Sequence, residues 1–394
     1  MQKEQLISRF QELYGTEGGA IRTFFAPGIV NLIGDHTDYN GGRAFPFALN
    51  MGIYAAARLR EDKTIHMSFS GDGVPVYSFR LDDKEVKSDL EEAELGMMRF
   101  PRAVINNFIS DGYCFSRGFD ILYDISMPIH AGFASHASLE VLTGLILREL
   151  FALSEISSQD LALICREKRI RETDPYCGIT DTAVCVLGKR GHGVFLAPQG
   201  YRYEYIPLNL NNTEVILTNT MVYDKHAHDK YLIRHTECEK ALKKLKVVTN
   251  INYLCDLSMD TFNSCKDVIM NEEYTKRARH AVSENARTIR AVSAIKVANL
   301  KRLGELMNQS HISLRDDYEV TCPELDFLAE TAWEIPGVLG SRMTGGGLGG
   351  YTVTLVEKTE VENYKTRIAE AYRSKFGLTP EFYPGVSDDG AREI

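Results

Sequence analysis

Ala26-Pro27-Gly28-Ile29-Val30-Asn31-Leu32-Ile33-Gly34-Asp35-His36-Thr37-Asp38-Tyr39-Asn40-Gly41-Gly42 is the stretch on which the reading of this chain turns. An apolar run, Ile29 to Ile33, stops abruptly in Asp35, His36, Asp38, Tyr39 and Asn40. A buried strand that ends in such a turn gathers many donors and acceptors at one place. A polyhydroxy ligand needs that, because each hydroxyl seeks a partner of its own. Taken alone, the segment reads first as an Asp/Asn/Gly-rich surface turn, since loops are polar by default.

A chain of 394 residues is long enough for two domains with separate cores. Its 25% charged and 44% hydrophobic residues place it among soluble globular proteins. The net charge of −9 argues against a nucleic-acid or anionic-membrane partner. It leaves room for a nucleotide site, which is a local matter of backbone N–H groups. No apolar run nears the ~20 residues of a membrane span. The opening Met1-Gln2-Lys3-Glu4-Gln5-Leu6 is polar and lacks the apolar core of a signal peptide, so a cytoplasmic location is expected. None of the eight cysteines forms a CxxC pair, and Cys185 lies in Ala-Val-Cys-Val-Leu. They read as reduced, mostly buried small apolar groups, without the spacing of a zinc site.

Apolar periodicity predicts a helix over 2–15, strands over 44–57, 64–69 and 119–126, and a helix over 138–150. On that last helix Leu139, Leu142, Leu145, Ile146 and Leu150 form a core stripe. Residues 207–213 are polar and turn-rich, a candidate domain boundary. Beyond them come a strand over 214–219, helices over 231–245 and 272–308, the second charged on one face, and a strand over 351–356. A helix over 360–376 follows, with Thr359 as N-cap and Glu362 completing a capping box. Mixed strands and helices without repeats give an α+β architecture, divided as 1–210 and 211–394.

The opening stretch resembles the galactokinase signature, Gly-Arg-Val-Asn-Leu-Ile-Gly-Glu-His-Thr-Asp-Tyr-Asn. Further segments agree in order: Cys177-Gly178-Ile179-Thr180-Asp181, Ser313 to Val320, Cys322 to Asp326, Gly340 to Gly350 with its run of glycines, and Asp389 to Arg392. The resemblance covers nearly the whole chain and places it among the GHMP small-molecule kinases. It implies a ribosomal-protein-S5-like N-terminal domain and a ferredoxin-like C-terminal domain with the site between them, the tail returning to the first domain. It also implies ATP-dependent phosphorylation of galactose, or a related hexose, at O1, with ATP and Mg²⁺ as cofactors.

Carried over position by position, the resemblance makes Asp181 catalytic and gives Asp35, His36, Asp38, Gly178 and Tyr231 to the sugar. The loop from Pro128 to Ser138 would cradle phosphate with Ala131, Gly132, Ser135 and Ala137, with Ser135 also a Mg²⁺ ligand. A strand-to-helix loop suits that role, because its N–H groups and the helix dipole favour an anion. Tyr231 reads equally as a core aromatic, and Ser135 or Ser138 as a plain helix cap. Several positions depart from the family. Ile29 replaces the arginine that partners the catalytic aspartate, and Arg169 falls where a glutamate ligates the metal. His130, Ala134 and His136 replace a glycine and two serines of the phosphate loop, and Thr182 a glutamine. Asp35 replaces a glutamate, Tyr223-Asp224-Lys225 an Arg-His-Ser, and Leu348 and Tyr351 the common Phe and Cys. Cys177 is given only a packing role. Two readings follow: an ATP-dependent galactokinase, slow or with rewired phosphate contacts, or a non-catalytic sugar-binding sensor that acts on a protein partner.

Overall fold

Two antiparallel-rich sheets and the helices laid on them make up the fold seen in the computed structural model, which describes residues 3–71, 73–81, 86–87, 95–127, 135–168, 179–197 and 202–394. The first half runs α1 (Lys3–Tyr14), β1 (Arg22–Asn31), β2 (Pro46–Leu59), β3 (Thr64–Phe69), β4 (Tyr77–Leu81), β5 (Val86–Lys87), α2 (Arg99–Ser110) and β6 (Phe119–Ile125). It continues with α3 (Ser135–Leu150), α4 (Ser158–Lys168), α5 (Thr180–Leu187), β7 (His192–Ala197) and β8 (Arg202–Pro207). The second half runs β9 (Thr213–Tyr223), α6 (Ala227–Leu245), α7 (Met259–Cys265), α8 (Glu272–Lys296), α9 (Leu300–Ser313) and α10 (Pro323–Trp333). It closes with β10 (Val338–Thr344), β11 (Gly349–Glu357), α11 (Val361–Phe376), β12 (Glu381–Pro384) and β13 (Arg392–Glu393).

The first sheet has the order β13-β1-β2-β6-β3-β4-β5, and the second β10-β11-β9-β12. Among the described residues only β3 and β6 pair in parallel; the other strand pairs are antiparallel. β7 and β8 pair in a separate two-stranded sheet, and the chain then enters the second sheet at β9. It then returns at its end: β13 pairs with β1 through Phe24↔Glu393. Arg22 grips Glu393 at 2.6 Å, and the Arg392 guanidinium stacks 4.9 Å over the Phe25 ring.

Several of the expected helices change in the structure. The helix expected over 272–308 is two helices. Ala298 takes a left-handed φ of 53°, which ends a helix, and the Asn299 side chain accepts the Arg302 N–H at 3.0 Å and starts the next. The helix expected from 360 begins at Val361, after a 3₁₀ turn over Lys358–Glu360 that contains Thr359. Its N-cap is Glu360, and no side chain caps it. The turn is fixed by backbone bonds instead, Lys358 N–H to the Asn212 carbonyl and Glu357 N–H to that of Gly337, both 2.8 Å. Finally, α3 begins at Ser135 and is buried on almost every side from Ala137 to Leu147, more than the expected stripe.

The cores are not separate. The largest apolar cluster joins Phe24, Ile53, Ile121 and Leu142 of the first half to Leu217, Ala291, Leu306 and Val353 of the second. Two smaller clusters lie wholly in the second half, around Ala241, Phe262 and Ala281 and around Leu328, Tyr364 and Ile368. Among the described residues no helix is long and apolar enough to cross a membrane.

Close backbone approach sets how α9 lies on β10. A Cβ on Gly304 would stand 2.0 Å from the Leu339 carbonyl oxygen, and one on Gly340 would stand 2.4 Å from that of Gly304. Gly304→Ala is expected to cost about 2 kcal/mol or more in chemical denaturation, as overpacking against backbone does. An unchanged denaturation midpoint would contradict this packing.

Candidate functional site

The polar turn after β1 is held by its own hydrogen bonds. The Thr37 hydroxyl donates to the Gly34 and Arg43 carbonyls at 2.8 and 2.9 Å. The Asn40 amide donates to the His36 carbonyl at 2.8 Å. A 3₁₀ turn spans Asp38–Asn40. His36 itself is left-handed, with φ 60°, a conformation that histidine adopts more readily than most residues. Gly34 also has positive φ, and a Cβ there would lie 2.7 Å from the Arg43 carbonyl oxygen. A glycine is therefore required at that position.

The second half of the chain grips this turn from two directions. From α8, Glu284 accepts the Gly34 N–H at 3.1 Å, the Asn285 side chain accepts that of Arg43 at 3.0 Å, and His280 Nε2 donates to the Asp35 carbonyl at 3.2 Å. From the end of β10, Arg342 forms a buried ion pair with Asp35 and donates to the Asn31 carbonyl at 3.2 Å. The Gly345 N–H completes Asp35, donating to its second oxygen at 3.0 Å. Burial pushes the Asp35 carboxyl up to about 6, although Arg342 pulls it down. Burial acts on Glu284 too, but the charges of Arg287, His280 and Arg342 and the Ser310 hydroxyl outweigh it and hold that carboxyl at about 2.

Of the sugar-site residues expected from sequence, the structure brings Asp35, His36, Asp38 and Tyr231 together. His36 lies 4.7 Å from the Tyr318 ring and 5.8 Å from Tyr231, between ring centroids. Its Nδ1 accepts the Tyr39 hydroxyl at 2.9 Å, and Tyr39 meets Tyr318 at 2.6 Å. Burial keeps His36 neutral, its pKa lowered to about 3. Among the described residues, two buried atoms here, His36 Nε2 and Asn31 Oδ1, have no partner of good hydrogen-bond geometry, although the Gly346 backbone acts on His36. Such atoms are costly unless a ligand satisfies them. Asp38 is half-buried, and burial raises its pKa. It accepts the Thr180 hydroxyl at 3.3 Å, which brings the start of α5, and with it Asp181, to the sugar turn. Gly178 lies outside the described residues.

The phosphate side is less complete. Ala131, Gly132, His130, Ala134, Cys177 and Arg169 lie outside the described residues. Ser135 opens α3. Ala137 is fully buried in the first turn, and Ser138, one of the possible caps, lies inside the helix with its hydroxyl on the Pro27 carbonyl at 2.7 Å. His136 stacks on Phe100, ring centroids 4.5 Å apart. Ile29 is buried in the core where the family has arginine. Among the described residues no group of three or more His, Cys, Asp and Glu could hold a metal ion. Ser135 offers one hydroxyl and Arg169 no oxygen, whereas Mg²⁺ wants hard oxygen ligands. The described residues alone do not complete a Mg²⁺ site; the segment 169–178, which carries Glu172 and Asp174 as well as Arg169, lies outside them.

Comparison with known proteins agrees with this geometry. The galactokinase galactose-binding signature matches residues 8–59, the GHMP kinases N terminal domain 99–189, and the GHMP kinases C terminal domain 291–374. The galactokinase of Fusobacterium nucleatum is 40% identical over 393 residues, covering 99% of both chains. This chain belongs to the galactokinase family. The Bacillus subtilis galactokinase is 38% identical, covering 100% of this chain and 99% of the relative. The structure of Lactococcus lactis galactokinase complexed with galactose superposes with a TM-score of 0.93 at 35% identity, covering 99% of each chain. A mevalonate kinase at 16% identity and TM-score 0.61 shares the fold.

The sequence did not single out Arg342, Tyr318, His280 or Glu284. A usable signal was present: His280, Glu284 and Thr288 recur at helical spacing, and all three are buried. Glu284→Gln is expected to destabilise the fold by about 3 kcal/mol at neutral pH, since it breaks a buried charge network. A carboxylate with depressed pKa stabilises above its unfolded value and loses that contribution on protonation. The gap between parent and variant should therefore narrow as pH falls from 4.5 towards about 2, measured by denaturation across pH. A gap that widens with acid would contradict the assignment.

Proposed function

We propose that this chain is a galactokinase-type sugar kinase that phosphorylates galactose at O1 with ATP. The observation that carries the reading is the Thr180–Asp38 hydrogen bond, which places the helix bearing Asp181 against the sugar turn within a galactokinase fold matched end to end. Galactose sits against His36, Asp38 and Tyr231. Asp38 and His36 Nε2 accept or donate to its hydroxyls. Asp181 takes or orients the proton of the O1 hydroxyl. The O1 oxygen attacks the γ-phosphorus of ATP, a new O–P bond forms, the bond to the bridging oxygen breaks, and ADP leaves. The start of α3 and Ser135 face the phosphates, and Arg169 offers a guanidinium fork to phosphate oxygen where the family offers a carboxylate to metal.

A second reading, a sugar-binding protein without turnover, is favoured by one observation. Ile29 fills the family's arginine position as a core residue, 3% exposed, and offers an apolar side chain there. Calorimetry with galactose followed by a coupled ADP-release assay separates the two: binding with ADP release supports the kinase, binding without it the sensor.

Asp38→Ala is expected to weaken galactose at least tenfold, as loss of a charge-assisted hydrogen bond worth about 1.5–3 kcal/mol implies. Unchanged affinity in a folded variant would refute the sugar site. Ile29→Arg combined with Arg169→Glu is expected to raise ADP release above the parent rate, non-additively, because both changes act on one charge network. A slower double variant of a parent already turning over at ordinary kinase rates would show that Arg169 is itself the working phosphate ligand.

A further inference from the structure

A line of hydrogen bonds runs from α6 into the sugar turn and ends on His36. The Cys238 sulfur lies 3.3 Å from the Tyr318 hydroxyl, that hydroxyl 2.6 Å from the one of Tyr39, and Tyr39 2.9 Å from His36 Nδ1. Cys238 stands on α6, Tyr318 closes the π-helical turn Leu314–Tyr318, and Tyr39 belongs to the turn after β1. The line is packed along its length. The Tyr318 ring meets both His36 and His280, with centroids at 4.7 and 4.5 Å, and Tyr39 lies against His235 at 4.8 Å. Tyr318 and Cys238 are buried.

Burial keeps the His36 ring neutral. A neutral imidazole carries one proton, and the bond made at one nitrogen decides which nitrogen holds it. Each hydroxyl also has one proton to give, and oxygens as close as those of Tyr39 and Tyr318 need a proton between them. The line therefore points one way throughout. Pointing away from His36, it runs from Nδ1–H to Tyr39, to Tyr318, to sulfur. The sulfur then receives Tyr318 and the Asn40 side chain together, and its own proton has no acceptor among the described residues. Pointing towards His36, it runs from thiol to Tyr318, to Tyr39, to Nδ1. Every proton then has an acceptor, and the ring hydrogen sits on Nε2. The Gly346 backbone favours the protonated ring, as an acceptor beside a ring N–H does, and Nδ1 is already taken by Tyr39. We propose that Tyr39, backed by Tyr318 and Cys238, is a positioning residue that fixes His36 as an Nε2–H donor to the sugar. The inference rests on the galactose-binding reading above. A ring free to choose its tautomer spends part of its time with a lone pair towards the sugar, and that fraction does not donate. Fixed, the ring complements Asp38: His36 gives a hydrogen bond to a sugar oxygen, and Asp38 accepts one from a sugar hydroxyl.

The test is nitrogen NMR of isotope-labelled histidine rings in the full chain, with galactose titrated by calorimetry, for the parent, Tyr39→Phe and Tyr318→Phe. The His36 signals are those that His36→Gln removes. The parent should show His36 as the Nε2–H tautomer. Tyr39→Phe should turn the ring into a mixture of both tautomers and weaken galactose about threefold to tenfold, as loss of one neutral hydrogen bond implies. Tyr318→Phe should move both in the same direction by less, and it carries the test if Tyr39→Phe does not fold. A role for Tyr39 in packing alone would lower the affinity without moving the ring nitrogens. If the parent ring holds its hydrogen on Nδ1, or if Tyr39→Phe keeps either the tautomer or the affinity, the positioning role is overturned and the sugar site stands. If the parent itself binds no galactose, the functional reading fails, and this role fails with it.

Discussion

The buried ion pair between Arg342 and Asp35 is the constraint on which the site depends. Arg342 is fully buried, and Asp35 is 5% exposed. Taking two charges out of water is favourable only when nearly every polar atom finds a partner. Here that condition is met: Arg342 also donates to the Asn31 carbonyl and the Ser310 hydroxyl, both at 3.2 Å, and Asp35 also accepts the Gly345 N–H. The pair joins the last residues of β10 and the glycine motif to the turn after β1. It therefore fixes the two halves of the chain to each other at the place where the sugar is held. Asp35, shorter than the family's glutamate, spends its carboxylate on this junction.

From that junction outward the frame is rigid. The Glu284, Asn285 and His280 side chains lock the same turn from α8, and Glu284 is itself held by Arg287 at 2.7 Å and Ser310 at 2.5 Å. The residues proposed to meet the sugar, His36, Asp38 and Tyr231 beside Asp35, stand on this frame rather than on a free loop, which is how precise sites are usually built. The glycine motif contributes through close approach: a Cβ on Gly347 would lie 2.1 Å from the Val320 carbonyl oxygen, and one on Gly349 would lie 2.2 Å from that of Val222. Leu348 between them takes a left-handed φ of 62°, and its N–H bonds the Val320 carbonyl at 2.7 Å. The glycine motif and the turn after β1 are thus braced against each other.

What could be read from the chain follows the range of the forces involved. The strand–turn segment is a local pattern joined to long motifs, and the fold was legible from it; the helix Thr180–Leu187 that carries Asp181 was not expected. The charged face of 272–308 was legible as a face; that it lies buried against the β1 turn was not, because periodicity tells which residues share a side and not what covers it. Its division at Ala298 was missed although Asn299 is a cap signal, since a single left-handed residue leaves the apolar rhythm nearly unbroken. Arg342 was hidden in a segment read for its glycines, and its partner lies 307 residues away. The expectation of separate cores failed for a related reason: length permits two domains but does not say whether their apolar faces meet.

The account stands or falls on the coupling of Asp35 to Arg342. A double-mutant cycle with Asp35→Asn, Arg342→Met and the double variant, read by chemical denaturation and by galactose calorimetry, measures it directly. Each single variant strands a buried group, so the account predicts a coupling of about 2 kcal/mol or more in stability and loss of galactose binding in both singles. Singles whose costs add to within about 0.5 kcal/mol, with galactose affinity retained, would show that the two halves are joined and the sugar turn is held by something else.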